Sequence, residues 1–112
     1  MWWRRRTTPQ NRITHAVLDL AFTIKIREHV DPRQPLARRH PELSAQELDQ
    51  CAELVDQAHR RLGELFDSLS KNTDDIAPDF TEFQRWARKS VLWLSEENVS
   101  GYYSQSVHAL RK

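Results

Sequence analysis

The sequence is poor in glycine and cysteine: only 2 of its 112 residues are glycine and 1 is cysteine. Glycine-rich phosphate-binding loops need several glycines at fixed spacing, and β-sandwiches need many tight turns with positive φ. A single cysteine excludes an intramolecular disulfide framework and cysteine-rich zinc sites. These shortages argue against a nucleotide-loop protein, a β-sandwich and a secreted disulfide scaffold.

Long apolar runs are also missing. A transmembrane helix needs about 18 or more consecutive apolar residues, and the chain has no such stretch. The basic start, residues 1–6, is typical of a signal peptide. However, the apolar segment after it, residues 16–26, carries Asp19 and Lys25 and has no small-residue cleavage site. We therefore predict a cytoplasmic protein.

The net charge of +1 hides a strong segregation of charge along the chain. Residues 1–39 hold 9 basic and 3 acidic side chains, a balance of +6. Residues 40–84 hold 3 basic and 11 acidic ones, −8, and residues 85–112 hold 5 and 2, +3. An acidic middle segment thus lies between two basic segments. The near-zero net charge therefore does not exclude a charged partner of either sign.

Hydrophobic spacing predicts an all-α fold: a small bundle of three long helices and a short C-terminal helix. Residues 1–8 are predicted to be a flexible basic arm, and residues 9–112 a single helical-bundle domain. Thr8-Pro9 is a suitable start for the first helix, which we expect to reach about Val30. Its apolar residues lie on two faces, as in a helix covered on both sides.

Two segments around the first helix allow other interpretations. Phe22, Ile24 and Ile26 alternate with polar residues, which is also a strand pattern, but we prefer a helix because no second strand is available for pairing. Residues 31–43 contain three prolines and are predicted to be a connector with one short turn at residues 36–40.

The second long helix has the clearest signals. Ser44 and Glu47 form a capping box, and we expect the helix to run from residue 45 to about 70. Apolar residues follow it in heptads, an arrangement that makes a homodimer plausible. The a positions are Leu48, Val55, Leu62 and Leu69, the d positions are Cys51, Ala58 and Leu65, and Ala52 and Phe66 widen the stripe.

The last two helices are predicted from their caps. Asp79 caps a third helix that extends to about Glu97, and Ser100 caps a short helix over residues 101–110. The apolar side of the third helix is predicted to comprise Phe80, Phe83, Trp86, Ala87, Ser90, Val91 and Leu94.

The residues that usually carry chemistry form no recognisable constellation. No histidine stands three or four residues from another histidine or from Cys51, so we predict no metal and no cofactor. Cys51 occupies a d position and is expected to be a small buried hydrophobe. The carboxylates of the long helix, Glu53, Asp56, Glu64 and Asp67, are expected to be a solvated face.

The candidate binding residues are basic and aromatic. In the arm they are Trp2, Trp3, Arg4, Arg5 and Arg6. These residues suit phosphates and bases, an anionic membrane surface, or simple packing of a tail onto the bundle. In the third helix the candidates are Arg85, Arg88 and Lys89, which extend the arm's basic surface if the segments converge, as do Arg12, Arg38 and Arg39.

Arg33 and His40 are separated by six residues. This spacing resembles the active-site motif of HEPN-type ribonucleases, which are small α-helical dimers. The resemblance implies an RNA-cleaving site at Arg33 and His40.

These observations favour a non-enzymatic helical interaction or regulatory protein, homodimeric, whose partner is another protein or a second copy of itself. One alternative is a nucleic-acid-binding regulator that uses the N-terminal arm. The other is the HEPN-like ribonuclease.

Overall fold

A computed structural model describes residues 12–70 and 77–110, and the chain forms five helices and no strand within them. The all-α prediction is therefore confirmed for this part of the chain. None of the described helices has the length and apolar character needed to cross a membrane. The predicted arm, residues 1–8, lies outside the described residues. The helices are α1 (His15–Glu28), α2 (Arg33–Arg39), α3 (Ala45–Ser70), α4 (Phe80–Ser90) and α5 (Glu96–Leu110).

The chain divides into two units, Met1–Asp56 and Gln57–Lys112, with the division inside α3. In the first unit α1 contacts α2, and in the second α4 packs against α5. The candidate residues of the third predicted helix therefore belong to the second unit, whereas Arg33 and His40 belong to the first.

Helix α1 is shorter than predicted. It begins at His15 because the Thr14 hydroxyl accepts a hydrogen bond from the Val17 N–H at 3.2 Å. Thr8 and Pro9 lie outside the described residues, but the predicted continuous helix from there to about Val30 is wrong because residues 12–14 are not helical. The helix ends at Glu28, where His29 adopts a left-handed conformation with φ 57°.

Both predicted apolar faces of α1 are buried, and the strand interpretation of residues 22–26 is wrong because these residues are helical. A helix that buries residues on both sides has little polar surface left, which explains its weak amphipathicity. Its buried residues are Val17, Leu18, Ala21, Phe22, Ile24 and Ile26.

Helix α2 forms where we predicted a proline-broken connector with a single turn. Pro35 is the third helical residue, and the first N–H groups of a helix have no partner inside the helix, so proline is tolerated there. The Asp31 carboxylate accepts the Arg33 N–H at 2.9 Å and supports the first turn. Leu36 is fully buried and anchors the helix.

Helix α3 has the predicted bounds and the predicted capping box. The Ser44 hydroxyl accepts from the Glu47 N–H at 3.1 Å, and the Glu47 carboxylate accepts from the Ser44 N–H at 2.8 Å. Glu47 is itself buried, and its Oε2 has no hydrogen-bond partner among the described residues. The capping box therefore stabilises the start of α3 at the cost of a buried carboxylate.

We expect Ser44→Ala to lower the free energy of unfolding by about 1 kcal/mol, because the Glu47 N–H then loses its acceptor. Urea denaturation followed by circular dichroism measures this loss. The matched control is Ser68→Ala, an exposed serine on the same helix, with an expected change within about 0.5 kcal/mol. Equal effects of the two substitutions would contradict the role of the capping box.

The buried stripe of α3 departs from the predicted heptad seam. Leu48, Leu65 and Leu69 of the seam are only half-buried, whereas Ala52 and Phe66, which were predicted to widen the stripe, are buried. A straight helix repeats every 3.6 residues, so its buried face drifts away from a strict 3.5-residue pattern. The stripe is Cys51, Ala52, Val55, Ala58, Leu62 and Phe66.

The boundary between the last two helices lies earlier than predicted, so the C-terminal helix is longer than expected. Asp79 caps α4 as expected, accepting from the Glu82 N–H at 3.1 Å, but α4 ends at Ser90. The Ser95 hydroxyl accepts from the Asn98 N–H at 3.2 Å, so α5 begins at Glu96 rather than after Ser100. The acidic pair after Ser95 suits the positive end of a helix and makes this cap the favoured one.

The core of the second unit is aromatic. The Phe83 ring contacts the rings of Phe66, Tyr103 and Tyr102, with centroid distances of 5.9, 5.6 and 6.2 Å. A Cβ atom at Gly63 would lie 3.3 Å from the Tyr102 hydroxyl oxygen. The glycine in the interior of α3 thus permits the close approach of α5, although glycine weakens a helix.

Candidate functional site

The last two turns of α4 carry a surface of Arg85, Trp86, Arg88 and Lys89, which we call the basic–aromatic face. All four side chains are exposed, while Phe83 and Ala87 on the same helix are buried. Basic residues suit the C-terminal end of a helix because its dipole is negative there. The fold thus anchors α4 by one side and presents these four residues on the other.

Trp86 is the centre of this face. It was predicted to belong to the apolar side of its helix, and that prediction is wrong because 42% of the residue is exposed. The Lys89 Nζ lies 5.0 Å from the ring centroid and the Arg85 Cζ lies 5.9 Å from it. Both cations are within the range of a cation–π interaction, which holds them beside the ring.

The charges of the face are only partly neutralised. Arg88 donates to the Glu96 carboxylate at 2.6 Å. Within residues 12–70 and 77–110, neither Arg85 nor Lys89 forms an ion pair with a carboxylate. Leu92, in the turn after α4, is 79% exposed. Among the described residues, the face therefore presents an exposed indole ring and two cations without carboxylate partners, and the turn after it presents an exposed leucine.

The other predicted basic residues have separate settings. Trp2, Trp3, Arg4, Arg5 and Arg6 lie outside the described residues. Arg12 donates to the Glu42 carbonyl oxygen at 2.8 Å and lies 3.7 Å from the Glu47 carboxylate. These contacts occupy Arg12 at the start of α3. Arg39 is exposed at the end of α2.

A cleft of about 490 Å³ lies in the first unit between the end of α1 and α2. Its lining combines both signs of charge with apolar atoms, so it offers no single chemistry to a ligand. The sequence prediction missed it because α2 was not expected. Its lining includes Glu28, Val30, Asp31, Arg33, Pro35 and Arg38.

Arg33 and His40, the pair that resembles the ribonuclease motif, stand at opposite ends of α2. The Arg33 Nε donates to Asp49 at 2.7 Å, and its NH1 group pairs with Asp31. The hydrogen bonds to Asp49 and Asp31 raise the pKa of the Arg33 guanidinium above its ordinary value. The His40 Nδ1 lies 3.0 Å from the Glu42 carboxylate. The two side chains pair with different carboxylates, and the implied ribonuclease site stays a prediction.

Cys51 is fully buried, which confirms the prediction of a small buried hydrophobe. Burial raises the pKa of its thiol to about 11, and the negative charge of Glu47 adds to this effect. A nucleophilic thiol needs a lowered pKa and access to its substrate. The surroundings of Cys51 therefore oppose nucleophilic chemistry.

The acidic face of α3 is solvated, as predicted, since Glu53, Asp56, Glu64 and Asp67 are all exposed. Asp56 accepts from the Lys25 ammonium at 2.8 Å. In the part of the chain that the structure describes, no group of three histidine, cysteine or carboxylate side chains is placed to hold a metal ion.

No protein-family model, curated protein or solved structure matches this chain.

Proposed function

We propose that this protein is a non-enzymatic helical interaction protein that binds another macromolecule through the basic–aromatic face. The observation that carries the proposal is the exposed Trp86 ring beside two cations that lack carboxylate partners among the described residues. Tryptophan and arginine contribute a large share of the binding energy at protein interfaces. An exposed indole next to cations is therefore suited to a contact surface.

The settings of the reactive side chains also support a binding role. Cys51 is buried with a raised thiol pKa, and Arg33 and His40 are each engaged by carboxylates. The proposed function therefore relies on the surface of α4 rather than on a catalytic group.

Affinity capture tests the proposal. The wild-type chain and the triple variant Arg85→Ala, Trp86→Ala, Lys89→Ala are each immobilised and incubated with extract from the source cells. The proteins and the nucleic acids that each chain retains are then quantified. The matched control is Arg60→Ala, Arg61→Ala, which removes two exposed cations from α3 in the same unit.

We expect the wild-type chain and the control to retain the same macromolecule in equal amounts. The triple variant should retain at least about tenfold less of it, which corresponds to about 1.4 kcal/mol of binding free energy. Equal retention by all three chains would refute the role of this face. Circular dichroism of the variants verifies that each is folded.

The homodimer and the cytoplasmic location are part of the same proposal. The half-buried Leu48, Leu65 and Leu69 of α3 leave apolar surface that supports contact with a second copy. The nucleic-acid alternative depends on residues 2–6, outside the described residues, and stays a prediction.

A further inference from the structure

We infer that the partner at the basic–aromatic face is an acidic protein segment that also carries a large apolar side chain. This inference rests on the proposed function and names the chemical class of its partner. It combines three features of the second unit: the spacing of the two available cations, the exposed apolar groups beside them, and the small number of those cations.

The two cations of the basic–aromatic face are spaced to meet two carboxylates. Arg85 and Lys89 lie four residues apart on α4, a rise of about 6 Å along the helix axis. Two carboxylates with the same separation occur four residues apart on a partner helix, or two residues apart on an extended strand at about 6.6 Å. A short acidic segment in either conformation therefore places one carboxylate near each cation.

Two large apolar side chains at the end of α4 and in the turn after it are exposed. Trp86 exposes 42% of its surface and Leu92 exposes 79%. Covering exposed apolar side chains removes apolar area from water and so strengthens binding. A segment that brings an apolar side chain as well as carboxylates therefore gains more at this face than a purely acidic one.

The small number of cations on this face favours a protein partner over a nucleic acid. Affinity for nucleic acid grows with the number of phosphates neutralised, and established binders contact about 6 to 10 of them. On the basic–aromatic face Arg88 is paired with Glu96, so this face offers two cations, Arg85 and Lys89, that have no carboxylate partner among the described residues. Residues 57–112 carry 8 basic and 8 acidic side chains, so the second unit has no net positive charge that would attract phosphate. The observations therefore favour the acidic protein segment.

Fluorescence anisotropy with defined probes tests this inference. The probe is a short fluorescein-labelled peptide rich in glutamate and leucine. One control peptide has glutamine in place of every glutamate, and a second has serine in place of every leucine. A labelled thymidine oligonucleotide represents single-stranded nucleic acid. Each probe is titrated with the wild-type chain, with Arg85→Ala, Lys89→Ala and with Arg60→Ala, Arg61→Ala.

We expect the acidic peptide to bind the wild-type chain and the Arg60, Arg61 control equally. The Arg85, Lys89 variant should bind the acidic peptide at least about tenfold more weakly than the wild-type chain does. The wild-type chain should bind each control peptide at least about tenfold more weakly than the acidic peptide. Trp86→Ala should weaken it as well while leaving the circular dichroism spectrum unchanged.

Two results would overturn the inference. One is binding of the oligonucleotide but not of the acidic peptide, with loss in the Arg85, Lys89 variant. The other is no binding of the acidic peptide although affinity capture still depends on the face. In both cases the proposed function stands and only the class of partner is wrong. Loss of the capture difference is the separate result that refutes the proposed function.

Discussion

Replacing Phe83 with alanine is expected to lower the free energy of unfolding by about 3 to 5 kcal/mol, the range found for buried aromatic residues. Phe83 is fully buried, and its ring contacts those of Phe66, Tyr102 and Tyr103. Removal of the ring leaves a cavity between α3, α4 and α5 that these aromatic residues fill only partly. Domains of this size have about 5 to 15 kcal/mol of stability in total, so the loss is severe.

Urea denaturation monitored by circular dichroism measures this effect. Leu92→Ala is the matched control, since it also removes a large apolar side chain but from a residue that is 79% exposed. We expect the control to change stability by no more than about 0.5 kcal/mol. If Phe83→Ala and Leu92→Ala cost the same, the aromatic cluster is not the core of the second unit.

The thiol of Cys51 is expected to be roughly 100-fold less reactive at pH 8 in the native protein than in the unfolded chain, from its ionisation alone. Burial raises its pKa from 9.0 to about 11, so the thiolate fraction at pH 8 falls by about that factor. The side chain is also fully buried, which slows reagents further. Absorbance after addition of Ellman's reagent, with and without urea, measures both rates.

Equal labelling rates in the native and the urea-unfolded protein would contradict this prediction. No second cysteine complicates the assay, because Cys51 is the single cysteine of the chain. The unfolded chain therefore provides the reference within the same sample.

The raised pKa of Cys51 also predicts how stability depends on pH. The folded protein holds the thiol proton more tightly than the unfolded chain, so the stabilising contribution is complete below pH 9. Between pH 9 and about 11 the unfolded chain releases this proton first, and stability falls. Urea denaturation of the wild-type chain and Cys51→Ala across this window isolates the effect: the wild-type chain is expected to lose more stability. Parallel curves would refute it.

Several features of the fold were predictable because they depend on neighbouring residues. The start of α3 follows from Ser44 and Glu47, and the start of α4 follows from Asp79, since each cap bonds an N–H three residues along the chain. The burial of α1 on two faces follows from its apolar spacing. Such local hydrogen bonds and periodicities depend only on residues that are close together in sequence.

The candidate site was predictable only in part. Arg85, Arg88 and Lys89 were identified from their charge, but Trp86 was assigned to the apolar side of its helix. The spacing did indicate that Trp86 lies close to both cations. Trp86 directly follows Arg85 and stands three residues before Lys89, which places all three on neighbouring parts of a helix surface. Charge and spacing therefore indicated the cations, but not that the ring would stay exposed.

The sequence by itself determined that this is an all-α protein, because the helix caps and the apolar spacing act over three or four residues. Tertiary structure alone decided that α2 forms among prolines, where Leu36 is buried, and that α4 ends at Ser90, where Val91 and Leu94 are buried in the following turn. It also decided that Arg88 pairs with Glu96 while Arg85 and Lys89 stay beside an exposed Trp86. These outcomes depend on which groups are buried or paired once the chain has folded. Residues on other helices, distant in sequence, decide that burial and pairing.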